Sequence, residues 1–289
     1  MTPETIALTD ETAGTFALGG ELRVRRLGFG AMRITGEGIW GPPEDREEAI
    51  ATVRRAVELG VNLIDTADSY GPNVSEELIA EALHPYPEDL VIATKGGLTR
   101  AGPGQWSPDG RPEHLREACE GSLRRLRVDR IDLYQLHSPD SAVPYEESVG
   151  VMKELRDEGK VNLVGVSNVS VEQLETARSI VEVASVQNRF NLEDRSTEGE
   201  LERCEELGLG FIPWFPLSAG SLTGPGGPMD EIAERHNASP GQIALAWLLA
   251  RSEVMLPIPG TGSVKHLEEN VAAAAIELSD EEIAELNQG

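Results

Sequence analysis

Short apolar runs recur along the chain, and between them lie longer stretches whose apolar positions repeat every three to four residues. Thr15-Phe16-Ala17-Leu18 and Glu21-Leu22-Arg23-Val24, joined by Gly19-Gly20, predict a hairpin over 15–25. Leu27-Gly28-Phe29-Gly30-Ala31-Met32 predicts a short strand. A helix is expected over 44–59, with Ala49, Ile50, Val53, Ala56 and Val57 on one stripe and Gly60 as its stop. The run Val61-Asn62-Leu63-Ile64 then reads as a buried strand. It delivers a carboxylate, Asp65, at its C-terminal end and is followed by a polar turn that carries Tyr70.

From there the alternation is regular. Helical periodicity over 74–83 precedes the run Leu90-Val91-Ile92-Ala93-Thr94. A helix opened by Pro112 and reaching 126 precedes Ile131-Asp132-Leu133-Tyr134-Gln135-Leu136. Helices over 145–158, 171–181, 198–207 and 240–250 precede, in turn, Leu163-Val164-Gly165-Val166, Ala184-Ser185-Val186-Gln187, Gly210-Phe211-Ile212-Pro213-Trp214 and Val254-Met255-Leu256-Pro257. A helix over 264–275 closes the series, and Ser279-Asp280-Glu281-Glu282 starts a last one with a capping box. Strands alternating with helices pair in parallel. Eight such units in this length predict an α/β fold, a single closed (β/α)8 TIM barrel over 26–275. The hairpin precedes it and a short C-terminal helix, 279–289, follows, so 1–289 forms one domain.

Composition narrows the function classes. The chain has 289 residues with 25 basic and 50 acidic side chains, a net charge of −25. Nucleic acid and anionic membranes need basic surfaces and are therefore excluded as partners. No apolar run reaches the roughly 18 residues of a membrane span, and the polar start of the chain does not read as a signal peptide. Cys119 and Cys204 each fall within a predicted amphipathic helix, as expected of reduced thiols in a cytoplasmic protein. The acid is spread along the chain, and only four lysines are present, Lys95, Lys153, Lys160 and Lys265. Such a surface resembles those of proteins from salt-loving organisms. The sequence does not settle the oligomeric state.

The mouths of the predicted strands carry the candidate chemistry. Asp65 follows the second strand, Lys95 the third, His137 the fourth, Ser167-Asn168 the fifth, Gln187 the sixth and Trp214 the seventh. In a barrel of this kind, active sites lie at that end. Singly, Lys95 reads as a solvated loop lysine, His137 as a core histidine and Gln187 as a strand cap. Polar groups at six consecutive mouths argue for a site. Arginine outnumbers lysine 21 to 4 in this chain, so a lysine at Lys95 suggests a position that needs a compact ammonium. No G-x-G-x-x-G is present, because Arg33 stands where the third glycine of Gly28-Phe29-Gly30 would fall; P-loop, G-x-S-x-G and H-E-x-x-H motifs are absent as well.

Taken together, Leu27-Gly28-Phe29-Gly30-Ala31-Met32, Asn62-Leu63-Ile64-Asp65-Thr66-Ala67-Asp68-Ser69-Tyr70-Gly71, Thr94-Lys95, Asp129 to His137, Gly165-Val166-Ser167-Asn168 and Ile258-Pro259-Gly260 make the chain resemble the aldo-keto reductases. The likeness runs from the hairpin to Asn270. It implies that Asp65, Tyr70, Lys95 and His137 form the family's catalytic tetrad, and that an aldehyde or ketone is reduced with a nicotinamide cofactor held across the strand mouths. A phenol of ordinary pKa near 10 is a slow acid at neutral pH; Lys95 beside Tyr70 is expected to lower that pKa by roughly 1–3 units. Asp65 would keep Lys95 charged, and His137 would orient the carbonyl.

The same resemblance implies cofactor contacts from Gly30, Ala31 and Met32. It places Ser167, Asn168 and Gln187 on the carboxamide and Trp214 on the nicotinamide ring, where the family usually has tyrosine. Leu217, Ser218, Gly220 and Leu222 would cover the pyrophosphate, Ser263 would open a phosphate-binding helix N-terminus, and Glu269 and Asn270 would meet adenine. Gly260 and His266 stand where NADPH-specific relatives often carry lysine and arginine. Thr261, Ser263 and Lys265 remain to hold a 2′-phosphate, so NADP(H) is expected over NAD(H), with no metal. Trp40 and Trp106 are candidate walls of the substrate pocket, and the Trp40 loop with Gly71-Pro72-Asn73 is similar to pyridoxal reductase-like members. Two rivals stay open: a cofactor-binding sensor of the same fold without turnover, and a barrel isomerase or lyase.

Overall fold

The computed structural model describes residues 6–217 and 228–288. A single turn of helix, α1 (Asp10–Ala13), precedes the antiparallel pair β1 (Thr15–Leu18) and β2 (Leu22–Arg25), in which Leu18 lies opposite Leu22. The elements that follow are β3 (Phe29–Gly30), α2 (Arg46–Glu58), β4 (Leu63–Asp65), α3 (Val74–Leu83) and β5 (Val91–Gly96). A second antiparallel pair, β6 (Leu98–Gly102) and β7 (Gln105–Pro108), interrupts the alternation before α4 (Pro112–Leu126). Then come β8 (Ile131–Leu136), α5 (Tyr145–Asp157), β9 (Val161–Ser167), α6 (Val171–Ile180), β10 (Val183–Gln187), α7 (Glu198–Leu207) and β11 (Gly210–Phe211). Helices α8 (Pro228–His236), α9 (Pro240–Arg251), α10 (Val264–Ala272) and α11 (Asp280–Gln288) complete the described chain.

Seven strands form one parallel sheet in the order β11-β10-β9-β8-β5-β4-β3. The segment after α9 hydrogen-bonds to both ends of that order. Phe211 donates its N–H to Val254 O and accepts from Leu256 N–H, each at 2.8 Å, while Gly28 and Gly30 donate to Pro257 O and Pro259 O at 2.9 and 3.3 Å. The strand expected over 254–257 is thus reduced to a single bridge, Phe211 to Met255. Pro257 and Pro259 have no N–H to give to a ladder, and Pro213 shortens β11 in the same way.

Two-residue pleating explains what the sheet presents. Leu63, Val91, Ala93, Leu133, Leu163, Ile212, Leu256 and Ile258 form one buried cluster inside the curl of the sheet. Two residues further along the same strands, on the same face, stand Asp65, Lys95, Gln135 and Gly165, and then His137 and Ser167. The opposite face, with Tyr134, Leu136, Val164, Val166 and Val186, packs against helices through Leu115, Val149, Leu155 and Leu174. Leu18 and Val24 of the first hairpin enter the inner cluster and close its lower end. The hairpin makes that closure tight: a side chain at Gly210 would meet Leu18 at 2.7 Å, and one at Gly19 would meet Leu163 at 2.6 Å.

Several helices begin where short polar side chains cap them. Asp45 accepts from Glu48 N–H at 2.9 Å to start α2, and capping boxes on Ser170 and Ser239 start α6 and α9. Two elements depart from expectation. Residues 96–111 contain the β6–β7 hairpin, and α8 forms ahead of the predicted 240–250 helix. The latter had a weak signal in Ile232 and Ala233, which are buried.

Candidate active site

At the C-terminal edge of the sheet, the alternation that buries apolar side chains brings Asp65, Lys95 and His137 together, and the turn after β4 adds Tyr70. Lys95 is fully buried, and its Nζ donates to Asp65 Oδ1 at 2.5 Å, to Thr66 O at 2.8 Å and to Tyr70 Oη at 3.4 Å. Asp65 is fixed from its other oxygen, which accepts from Gln187 Nε2 at 2.8 Å and from Gln135 Nε2 at 3.1 Å. Tyr70 lies edge-on to His137, with ring centroids 5.9 Å apart. His137 is held by its main chain, its N–H donating to Gly96 O at 2.9 Å and its carbonyl accepting from Asn168 Nδ2 at 2.9 Å.

The electrostatics follow from burial. Desolvation opposes the Lys95 ammonium, but the Asp65 carboxylate and the Tyr70 oxygen outweigh it and hold its pKa above the ordinary lysine value. The Tyr70 phenol is pushed up, chiefly by burial; the Lys95 charge pulls the other way and Asp65 adds to the rise. This corrects the expectation of a lowered phenol pKa: much of the ammonium's charge is already compensated by Asp65, so it does not offset the cost of burying a phenolate. Tyr70 is accordingly a protonated donor at neutral pH. Burial, with the Lys95 charge second, puts His137 well below the usual histidine range, so its ring is neutral.

Behind this group lies a second buried polar network that the sequence did not reveal. Glu76 is fully buried and accepts from Thr94 Oγ1 and from Arg125 Nε, each at 2.6 Å. Asp68, between Asp65 and Tyr70, has one carboxylate oxygen without a hydrogen-bond partner. Burial first, and the Glu76 charge second, raise its pKa to about 8. Its backbone N–H donates to Lys95 O at 3.3 Å and its carbonyl accepts from Asn73 N–H at 2.7 Å, which ties the Tyr70 turn to β5 and to the start of α3.

Asp65, Tyr70 and His137 line a cavity of about 960 Å³ that extends to α10. Of the residues expected to touch a cofactor, Gly30, Met32, Ser167, Asn168, Gln187, Trp214, Leu217, Thr261, His266, Glu269 and Asn270 line it. Ala31 does not: it is buried, and its carbonyl accepts from Ser75 Oγ at 3.0 Å. Ser263 does not line it either, and the expected phosphate site at the start of α10 is partly occupied from within the chain. Glu48 Oε1 accepts from Val264 N–H at 3.0 Å, and Ser263 N–H is engaged by Thr261 Oγ1 at 3.1 Å. Ser218, Gly220 and Leu222 lie outside the described residues.

Asn168 links the strand mouths, its Nδ2 reaching His137 O while its Oδ1 accepts from Trp214 Nε1 at 3.0 Å. Trp106, on the β6–β7 hairpin, lines the cavity with its ring 6.2 Å from Tyr70 and 6.4 Å from His137. In the loop before α2 it is Ile39, in the left-handed region at φ 57°, that faces the cavity, whereas Trp40 lies beside the Arg100 guanidinium. Sequence reasoning also missed Arg33, an exposed cation on the cavity wall with no ion-pair partner among the described residues. Its place directly after Met32 in the first motif was the available signal.

The chain belongs to the aldo/keto reductase family, whose sequence profile matches residues 26–288. It is 51% identical over 282 residues to an uncharacterized oxidoreductase of Schizosaccharomyces pombe, covering 98% of this chain and 92% of that one. It is 41% identical over 283 residues to pyridoxine 4-dehydrogenase of Escherichia coli, covering 96% and 98%. Among solved structures, a glycerol dehydrogenase from Gluconobacter oxydans superposes with a TM-score of 0.85 at 30% identity, over 96% of this chain and 94% of that one. An aldo-keto reductase from Klebsiella pneumoniae in complex with NADPH superposes with a TM-score of 0.80 at 28% identity, over 95% and 94%.

Proposed function

We propose that the protein reduces an aldehyde or ketone to the alcohol, with a nicotinamide cofactor and with Tyr70 as the proton donor. The observation that carries this is the single ammonium of Lys95, bonded at once to the Asp65 carboxylate and the Tyr70 hydroxyl beside a cavity also lined by a neutral histidine. A carbonyl oxygen placed against Tyr70 and His137 receives hydrogen bonds from both. As negative charge grows on that oxygen, Tyr70 releases its proton to it, and the ammonium stabilises the phenolate left behind. Asp65 keeps the lysine charged and aimed, and solvent later returns the proton to Tyr70. Such acid catalysis contributes about 10²–10⁴-fold; the bound cofactor supplies the hydride to the carbonyl carbon.

The cavity fits a dinucleotide in extent, since it runs from Tyr70 and His137 past Trp214 to Asn270. Trp214 offers a flat ring, with Ser167, Asn168 and Gln187 beside it. Thr261, His266 and Arg33 line the far part, and Arg33 compensates for the missing lysine at Gly260. We favour NADP(H) over NAD(H) on that cationic wall and on the NADPH-bound relative. Among carbonyl compounds we put pyridoxal-type aromatic aldehydes first. Trp106, Ile39, Leu98 and Met32 make an apolar wall suited to a flat ring, and one relative is named for the corresponding alcohol.

The hydrogen bonds that join 254–260 to both ends of the parallel order support a closed (β/α)8 barrel. We read 1–289 as one domain, with the hairpin at 15–25, the barrel at 26–275 and a terminal helix at 279–289. Cys119 and Cys204 are free and buried, with pKa pushed up to about 12 by burial, which accords with a reducing, cytoplasmic setting. The acidic surface we read as salt adaptation. The test of the central reading is Tyr70→Phe, assayed by consumption of NADPH and of NADH with a panel of aldehydes that includes pyridoxal. Turnover should fall by about 10²-fold or more, with cofactor affinity within about twofold of the parent; near-parental turnover would refute the assignment.

A further inference from the structure

His137 sits beside Tyr70, and which of its two nitrogens bears the proton decides whether it helps or opposes a carbonyl. Its Nδ1 lies 3.4 Å from Ser69 Oγ, and Ser69 is itself buried. Nδ1 is the one hydrogen-bond partner of that hydroxyl among the described residues. A serine hydroxyl has a single proton to give. If Nδ1 carried the imidazole proton, it would donate to Ser69, and the serine proton would be left buried without an acceptor. If instead Ser69 donates to Nδ1, both groups are satisfied. The imidazole N–H is then on Nε2, the nitrogen that remains for the cavity.

We propose that Ser69 is a positioning residue that fixes His137 as its Nε2–H tautomer, so that the imidazole donates to the substrate carbonyl rather than facing it with a lone pair. The inference rests on the reading of His137 given above. The neutral ring described for His137 makes a choice of tautomer necessary, since an imidazolium would donate from both nitrogens.

Ser69 is in turn held by Arg100. The Arg100 Nη1 donates to Ser69 O at 3.2 Å and to Ile39 O at 2.9 Å; Nη2 donates to Gly38 O and Gly102 O, and Nε to Gln105 O at 3.1 Å. The guanidinium has no carboxylate partner among the described residues, and it lies 3.6 Å from the centre of the Trp106 ring. Main-chain carbonyls from three segments, together with an indole face, keep this cation in place. The β6–β7 hairpin, the 38–39 loop and the Ser69 carbonyl are thereby locked to one another. The side chain that stacks on Trp106 at the cavity thus also holds the main chain of the residue whose hydroxyl faces His137.

The test uses ¹⁵N-histidine-labelled protein with NADP⁺ bound, the His137 signals being assigned with His137→Asn. The wild type should show a protonated Nε2 and an unprotonated, hydrogen-bonded Nδ1. Ser69→Ala should show a mixture of tautomers, and kcat for aldehyde reduction should fall about 3- to 10-fold, the range for one lost hydrogen bond, with the KM for NADPH unchanged. Ser69→Thr, which keeps the hydroxyl, should restore the wild-type tautomer. A wild-type ring protonated at Nδ1 overturns the proposal without reference to any variant, and so does a Ser69→Ala ring with an unaltered tautomer. If His137→Asn reduces aldehydes at the wild-type rate, it is the functional reading that fails, and the tautomer measurement stands by itself.

Discussion

Replacing Asp68 by asparagine tests the buried network behind Tyr70 through stability alone. The Asp68 carboxyl has a pKa of about 8 in the folded protein, against an ordinary value of 3.8. Burial is the first cause and the neighbouring Glu76 carboxylate the second; Arg125 acts in the opposite direction. The folded state therefore keeps a proton between about pH 4 and pH 8 that the unfolded chain has lost. Stability falls with rising pH wherever the folded state binds more protons. Asp68 thus contributes no penalty below about pH 4, a growing one through that window, and its full penalty above pH 8. At about 1.4 kcal/mol for each pH unit between the two values, the full penalty is on the order of 6 kcal/mol. Water reaching the ionised carboxylate reduces it, so we expect about 2–5 kcal/mol.

Asparagine has the same shape and does not titrate, so Asp68→Asn should gain stability over the parent by that amount between pH 5 and pH 9. The measurement is urea unfolding of both proteins across that range in molar salt, which screens the acidic surface and leaves the buried group. The informative quantity is the difference between the two proteins, because the many exposed carboxylates cancel in it. A difference that stays constant within about 0.5 kcal/mol from pH 5 to 9 would mean that Asp68 is ionised throughout and that the buried cluster has been misread.

Asp65→Asn removes the anion beside a fully buried ammonium. Urea unfolding should show a loss of about 3–5 kcal/mol, the cost of leaving a buried charge unpaired; a loss under about 1 kcal/mol would indicate that water or another group supports Lys95. The acidic surface should make the protein salt-dependent, because its net charge of −25 repels itself at low ionic strength. Tm should therefore rise from low to molar KCl, and a flat or falling curve removes the reading of salt adaptation.

Much of the site was legible because a parallel strand buried on both faces has a simple grammar. The period of two that places Leu63, Ala93 and Leu133 inside the sheet also places Asp65, Lys95 and His137 there, and no long-range information is needed to see it. The last strand, by contrast, is shorter than its apolar run predicts, because proline interrupts it. Its apolar run matched the others, but Pro257 and Pro259 cannot donate to a neighbour.

The chain by itself determined the alternation of strands and helices, the polar groups that end each strand, and the likeness to a reductase family, since these depend on neighbours within a few residues. Tertiary structure alone decided what those groups experience. Glu48 reaches the start of α10 across 216 residues and takes the N–H of Val264, at the helix start where the resemblance implied a phosphate. Trp40 lies beside the Arg100 guanidinium and off the cavity, whose wall is made instead by Ile39 and Trp106. The phenol of Tyr70 rises in pKa because burial outweighs a lysine whose charge Asp65 already compensates. Desolvation and pairing depend on groups far apart in the chain, which a periodicity of apolar residues cannot encode.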